Sequence, residues 1–199
     1  MTRDQREINR RILSGRVAAN ETYVADKYPH EVFISSPVKF EKVNKFTKGL
    51  ALPKGVKVAR SRIPVNSDQR DILRKELRQA AILTGCNNSV FLIPEHGAYK
   101  ERLVDAVING LLYEFRNITG NARAVEDEFR NAKGKGGDVN VFINIDSGIP
   151  KSEARRRIAL VLGRHPDYTG KIIVSFSRAE KLGIIRDSIV YFWDTKNFR

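Results

Sequence analysis

Beyond residue 66 the apolar positions recur with periods that define elements one after another. DQRDILRKELRQAAILTG (68–85) sets Ile72, Leu73, Leu77, Ala80, Ala81 and Leu83 on one side of a helix, with Asn66, Ser67 or Asp68 as its cap and Gly85 as its stop. SVFLIPE (89–95) reads as a short buried strand ending at Pro94, with Glu95-His96-Gly97 as the turn beyond it. LVDAVINGLLYEFR (103–116) reads as a hairpin, because Asn109-Gly110 between two apolar runs suits a type I′ turn with positive φ at both central positions. A helix over 122–133, capped by Thr119 or Asn121, ends at GKGG (134–137), and a strand follows over 138–145. Pro150 opens a helix over 151–163, followed by a strand over 171–177, a helical turn near 178–182 and a last strand over 187–194. This order predicts an α/β (α+β) fold, a central mixed β-sheet with an antiparallel hairpin, flanked by helices.

The earlier part is less regular. Ile8, Ile12, Leu13 and Val17 predict a short amphipathic helix over 3–19, after which Pro29, Pro37, Pro53 and Pro64 punctuate the chain. VKFEKVNKF (38–46) mixes lysines with two phenylalanines; irregular cover over the core is the preferred reading, and a surface that stacks nucleic-acid bases is the alternative. The expected division is an irregular N-terminal extension over 1–65 and an α/β domain over 66–199, with 64–67 as linker.

Charge narrows the classes of partner. The 199 residues hold 36 Lys and Arg against 23 Asp and Glu, a formal charge of +13, which points to a polyanion. Nucleic acid ranks ahead of a membrane surface, since no basic amphipathic helix with bulky apolar anchors stands out, and no run of 18 apolar residues spans a bilayer. The charged N-terminus lacks the apolar stretch of a secretion signal, so a cytoplasmic location is expected unless a larger system delivers the chain. Cys86 is the single cysteine, which excludes an intramolecular disulfide and a cysteine zinc site, and it reads as a small buried residue. GKGG lacks the spacing of a P-loop, which argues against ATP or GTP hydrolysis.

The hairpin carries the candidate chemistry. Counting back from a two-residue turn pairs Asp105 with Glu114, and Arg116 shares their face. Carboxylates placed opposite each other repel, and a cation relieves this: either Arg116 itself or a divalent Mg2+ or Mn2+ held by Asp105 and Glu114. A metal-free phosphodiesterase needs instead a titrating base or acid and cations for the phosphate, for which His96 is the first histidine candidate and His165 the second, ahead of His30. Lys133 and Lys135 beside glycines, and Arg155, Arg156 and Arg157 at a helix start, are candidate contacts for nucleic-acid phosphates; a solvated helix face is the preferred reading of the three arginines, which leaves the two lysines as the better candidates.

The helix-strand-strand-strand-helix-strand order with D-x8-E-x-[K/R] across the hairpin resembles the PD-(D/E)xK nuclease core. The words LIPEHG, VDAVINGLLYEFR and FRNAKGKGGDVNVFINI, over roughly 68–146, more narrowly resemble the C-terminal toxin nucleases of contact-dependent growth inhibition systems and related toxin domains on phage head proteins. That wider group divides between PD-(D/E)xK nucleases and metal-independent barnase/EndoU/colicin/RelE-like ribonucleases. The resemblance implies a nuclease-like domain over 66–199 that cleaves tRNA or other RNA, with Glu95, Asp105, Glu114 and Arg116 as site residues and an acidic immunity protein as partner. Arginine at 116 stands where the family has lysine, and Lys135 where it often has glutamine. A non-catalytic RNA- or DNA-binding protein derived from a phage or mobile element is the alternative.

Overall fold

In the computed structural model, which describes residues 3–94, 104–133, 139–176 and 189–193, the chain gathers into two units, Met1–Leu112 and Tyr113–Arg199. The first holds α1 (Arg3–Lys27), β1 (Phe33–Ile34), α2 (Pro37–Glu41), β2 (Val56–Ala59), a 3-10 turn (Arg60–Arg62), α3 (Ser67–Gly85), β3 (Val90–Leu92) and β4 (Ala106–Ile108). Strand β2 runs parallel to β3 with α3 as the crossover, while β1 pairs antiparallel with β2 and β4 antiparallel with β3. Strands from the segment expected to be an extension thus belong to the same sheet as β3.

Helix α3 begins where the caps and the apolar period coincide. The Asn66 side chain accepts from Gln69 N at 2.9 Å, and Leu73, Leu77, Ala80 and Leu83 are buried, whereas Ile72 lies outside the stripe and is exposed. Cys86, expected to be buried, is exposed, because it is the C-cap residue of α3 and the chain leaves the packed face there.

Helix α1 runs eight residues beyond its expected end at 19, held by a buried polar side chain the apolar period does not reveal. Asn20 donates to Ser89 O at 3.0 Å and accepts from Gly110 N at 2.7 Å. That last bond ties α1 to the expected turn, in which Asn109 and Gly110 adopt φ of 52° and 83°. Asn109 also accepts from Ser89 N at 3.1 Å and donates to Asn88 Oδ1 at 2.8 Å. Asn109→Ala is expected to cost about 2 kcal/mol in urea unfolding, combining left-handed strain with two lost hydrogen bonds. Asn109→Gly relieves the strain and should recover part of that loss, isolating the hydrogen bonds.

Strand β5 (Leu111–Ile118) leads into the second unit, with α4 (Ala122–Lys133), β6 (Asn140–Ile145), α5 (Lys151–Arg164), β7 (Ile172–Phe176) and β8 (Ile189–Trp193). Strands β5, β6 and β7 are parallel and β8 is antiparallel to β7. Crossovers of one hand between strands laid down in order bring both helices to the same face. There Val125 and Phe129 of α4 and Ile158 and Val161 of α5 pack over Ile118, Val141, Ile143, Ile145, Ile172 and Val174. The opposite face carries a polar row across three strands: Ser175 Oγ donates to Asn144 Oδ1 at 2.7 Å, and Asn144 Nδ2 donates to Asn117 Oδ1 at 2.7 Å. The fold is α/β, with mixed β-sheet flanked by helices, as the order of elements implies. No helix among the described residues is long and apolar enough to cross a membrane. The expected turn at 178–182 lies outside the described residues.

Candidate functional site

Strand register places a charged pair on the face that α4 and α5 cover. Glu114, Arg116 and Ile118 align with Val141, Ile143 and Ile145 of β6, so an acid and a base interrupt an otherwise aliphatic surface. Glu114 is 1% exposed, and its Oε1 lies 2.8 Å from Arg116 Nη2. The guanidinium also faces α4: Arg116 Nε, itself buried, lies 3.5 Å from Glu128 Oε2, and the two side chains are 21% and 37% exposed. A buried acid therefore fixes an arginine from beneath, and an accessible acid flanks it.

Asp105 lies in the first unit and has an arginine of its own. Arg62 Nη2 stands 3.3 Å from Asp105 Oδ1, while Arg62 Nε donates to Glu76 Oε2 at 3.0 Å and Nη2 bonds Glu76 Oε1. Arg62 Nη1 also donates to Ile93 O at 2.6 Å and Asp105 O at 3.2 Å, tying the end of β3 to the residue before β4. Arg62 and Glu76 are both buried. The sequence reading missed this pair, although a signal was present: Glu76 sits between Leu73, Leu77 and Ala80 on the apolar stripe of α3, where an acid needs a partner.

Two carboxylates expected to share one cation thus each face a guanidinium. Among the described residues no three His, Cys, Asp or Glu side chains gather as a metal site. Beside Asp105 and beside Glu114 the arginine competes with a divalent ion for the carboxylate oxygens.

The helix-start arginines turn largely to acids. Arg156 donates to both oxygens of Glu153 at 2.8 Å, Arg157 Nε donates to Glu153 at 2.9 Å, and Arg164 reaches Glu126 at 3.0 Å. Arg155 is exposed on the same helix. Hydrogen bonds from Arg156 and then Arg157 hold the Glu153 carboxyl down, from its ordinary 4.5 to about 2. A depressed folded-state value means the contribution to stability is present above the unfolded value near 4.5 and is lost as pH falls through about 2. Carboxyl NMR should place the Glu153 midpoint near 2, and Arg156→Gln should return it toward 4.5.

His165 is the C-cap of α5. Ten residues separate it from Arg155, roughly 15 Å along the axis, so the two do not form one cluster. Lys133 ends α4, and its side chain, like Glu95, His96 and Lys135, lies outside the described residues. Burial pushes the Tyr113 phenol up to about 12, which keeps it neutral. No family model, curated protein or solved structure matches the chain.

Proposed function

We propose that the chain is a ribonuclease whose chemistry centres on Arg116, held by Glu114 and flanked by Glu128. One observation supports this reading above the rest: a carboxylate with 1% exposure, in a row of aliphatic side chains, is given over to fixing a partly exposed guanidinium beside a more accessible acid. An unpaired charge at such a position costs several kcal/mol, and an aliphatic residue would pack there with less penalty, so the pair calls for a reason other than packing.

Arginine supplies a permanent positive charge and a planar fork of donors, the geometry that grips a phosphate and stabilises the charge that develops on it. Glu128 takes the proton of a ribose 2′-hydroxyl as its oxygen attacks the adjacent phosphorus. The bond from phosphorus to the 5′-oxygen breaks, leaving a 2′,3′-cyclic phosphate and a 5′-hydroxyl protonated by water. The reaction needs the 2′-hydroxyl and therefore RNA, and the formal charge of +13 favours the polyanion. An acidic immunity protein is the partner that charge complementarity suits, in keeping with a toxin role.

The test is incubation with tRNA and with duplex DNA, in Mg2+ and in EDTA. RNA should be cut in both and DNA in neither; cleavage that EDTA abolishes, or cleavage of DNA, overturns the scheme. A non-catalytic RNA- or DNA-binding protein is the second reading, favoured by the closed pairing of Glu114 with Arg116. It gives salt-sensitive binding with no product in any lane.

A further inference from the structure

We infer that the exposed lysines of α2 and the turns after it, Lys39, Lys42, Lys45 and Lys48, form a preorganised surface that holds the phosphate backbone of RNA without reading its bases. The inference rests on RNA being what the chain handles, and it uses residues of the first unit and none of the Arg116 centre.

Between 37 and 54 the chain carries five lysines and one acid, and lysine recurs at every third position from 39 to 48. Of the two phenylalanines among them, Phe40 is 0% exposed, and Phe46 is half-buried with the Lys45 ammonium 4.9 Å from its ring centroid. Thr47, Leu50 and Leu52 are buried as well. The segment therefore covers core with its buried side chains, the preferred reading of VKFEKVNKF, while its lysines stay exposed and the burial of Phe40 takes that ring from the stacking alternative. Among the described residues, none of the four lysines pairs with an acid.

The segment is built, which separates it from an ordinary lysine-rich loop. Asn44 Oδ1 accepts from Phe46 N at 2.8 Å and Thr47 N at 3.1 Å, while Asn44 Nδ2 donates to Pro64 O at 2.9 Å. Thr47 Oγ1 donates to Asn44 O at 2.9 Å, and Arg70 of α3 donates to Phe46 O at 3.0 Å and Lys48 O at 3.3 Å. Backbone fixed this way does not have to be ordered when a ligand arrives, and only the lysine stems have to settle. Lysine ammonium is a point charge suited to phosphate, and neither ring of the segment stands open for base stacking: Phe40 is buried and the half-buried Phe46 lies under the Lys45 ammonium. Contact is then to backbone and indifferent to sequence. An anionic membrane is the less suited surface, since the exposed apolar residues here, Val38 and Val43, lack the bulk that anchors a protein in a bilayer.

The test compares wild type with the variant Lys39→Gln, Lys42→Gln, Lys45→Gln, Lys48→Gln, and with a charge-matched control, Arg6→Gln, Arg10→Gln, Arg74→Gln, Lys75→Gln. Binding to poly(U) and poly(A) is measured across a salt series, with melting curves to show that each variant is folded. Wild type should bind the two polymers with equal affinity, and the lysine variant should bind at least about tenfold more weakly at low salt, with a slope of log affinity against log salt shallower by up to about 3, at about 0.7 per single-strand phosphate. The control should change the slope far less. A lysine variant that binds like wild type, or a control that loses as much, overturns the surface and leaves the ribonuclease reading standing. Wild type that binds neither polymer overturns both. Preference for phosphatidylserine vesicles over RNA, lost in the lysine variant, overturns it in favour of a membrane.

Discussion

Arg62→Met is expected to destabilise the protein by about 3–5 kcal/mol, because it leaves Glu76 buried with its charge uncompensated. For a chain of this size that corresponds to a fall in melting temperature of roughly 10 °C. The loss exceeds one ion pair, since Arg62 also satisfies Ile93 O and Asp105 O and stands beside the Asp105 carboxylate. Arg62→Met combined with Glu76→Leu removes both charges together and should be less damaging than Arg62→Met alone, as buried ion pairs replaced by apolar residues often are. Calorimetry on wild type, Arg62→Met, Glu76→Leu and the double variant gives the coupling directly. Additive losses would mean that the Arg62 contacts to backbone, rather than the charge pair, carry the stability.

Arg116→Ala and Glu128→Gln are each expected to slow single-turnover RNA cleavage by about 100-fold or more, the range found for removing an oxyanion stabiliser or a general base. The two should differ in form. Arg116→Lys keeps a positive charge but not the fork, so it should retain part of the rate, whereas Glu128→Gln leaves substrate affinity intact and lowers the chemical step alone. Glu114→Gln touches no substrate; it loosens the guanidinium, and its loss should be rescued in part by Glu114→Asp more than by Glu114→Ala. Equal rates for wild type and Glu128→Gln would remove Glu128 from the mechanism.

Periodicity and caps made most of the fold legible. The helices at 67–85, 122–133 and 151–164 fall within a residue of expectation because apolar spacing, Asn or Pro at the start and Gly or a cap at the end agree with one another. What could not be read depends on partners distant in sequence. Strand β2 looks like punctuated loop until β3 lies beside it, and α1 continues because Asn20 finds Ser89 and Gly110 across 69 and 90 positions.

The candidate site divides the same way. Glu114 and Arg116 stand two apart on one strand, so their meeting follows from the strand period alone, and the structure brings them together at 2.8 Å. Arg62 comes to Asp105 from 43 positions away, and no local pattern gives that contact. Glu128 comes from α4 through the packing of that helix on β5, which fixes which acid of Glu126, Asp127 and Glu128 reaches Arg116. The lysine face of 39–48 was visible as composition, but only burial of Phe40 separates cover from contact surface.

The measurement that bears most directly on the proposed chemistry is the identity of the ends left on a cut RNA in EDTA. Attack by the ribose 2′-oxygen predicts a 2′,3′-cyclic phosphate and a 5′-hydroxyl, with both lost in Arg116→Ala. A 3′-hydroxyl and 5′-phosphate, or ends that form only with added Mg2+, would contradict a metal-free centre at Arg116 and Glu128.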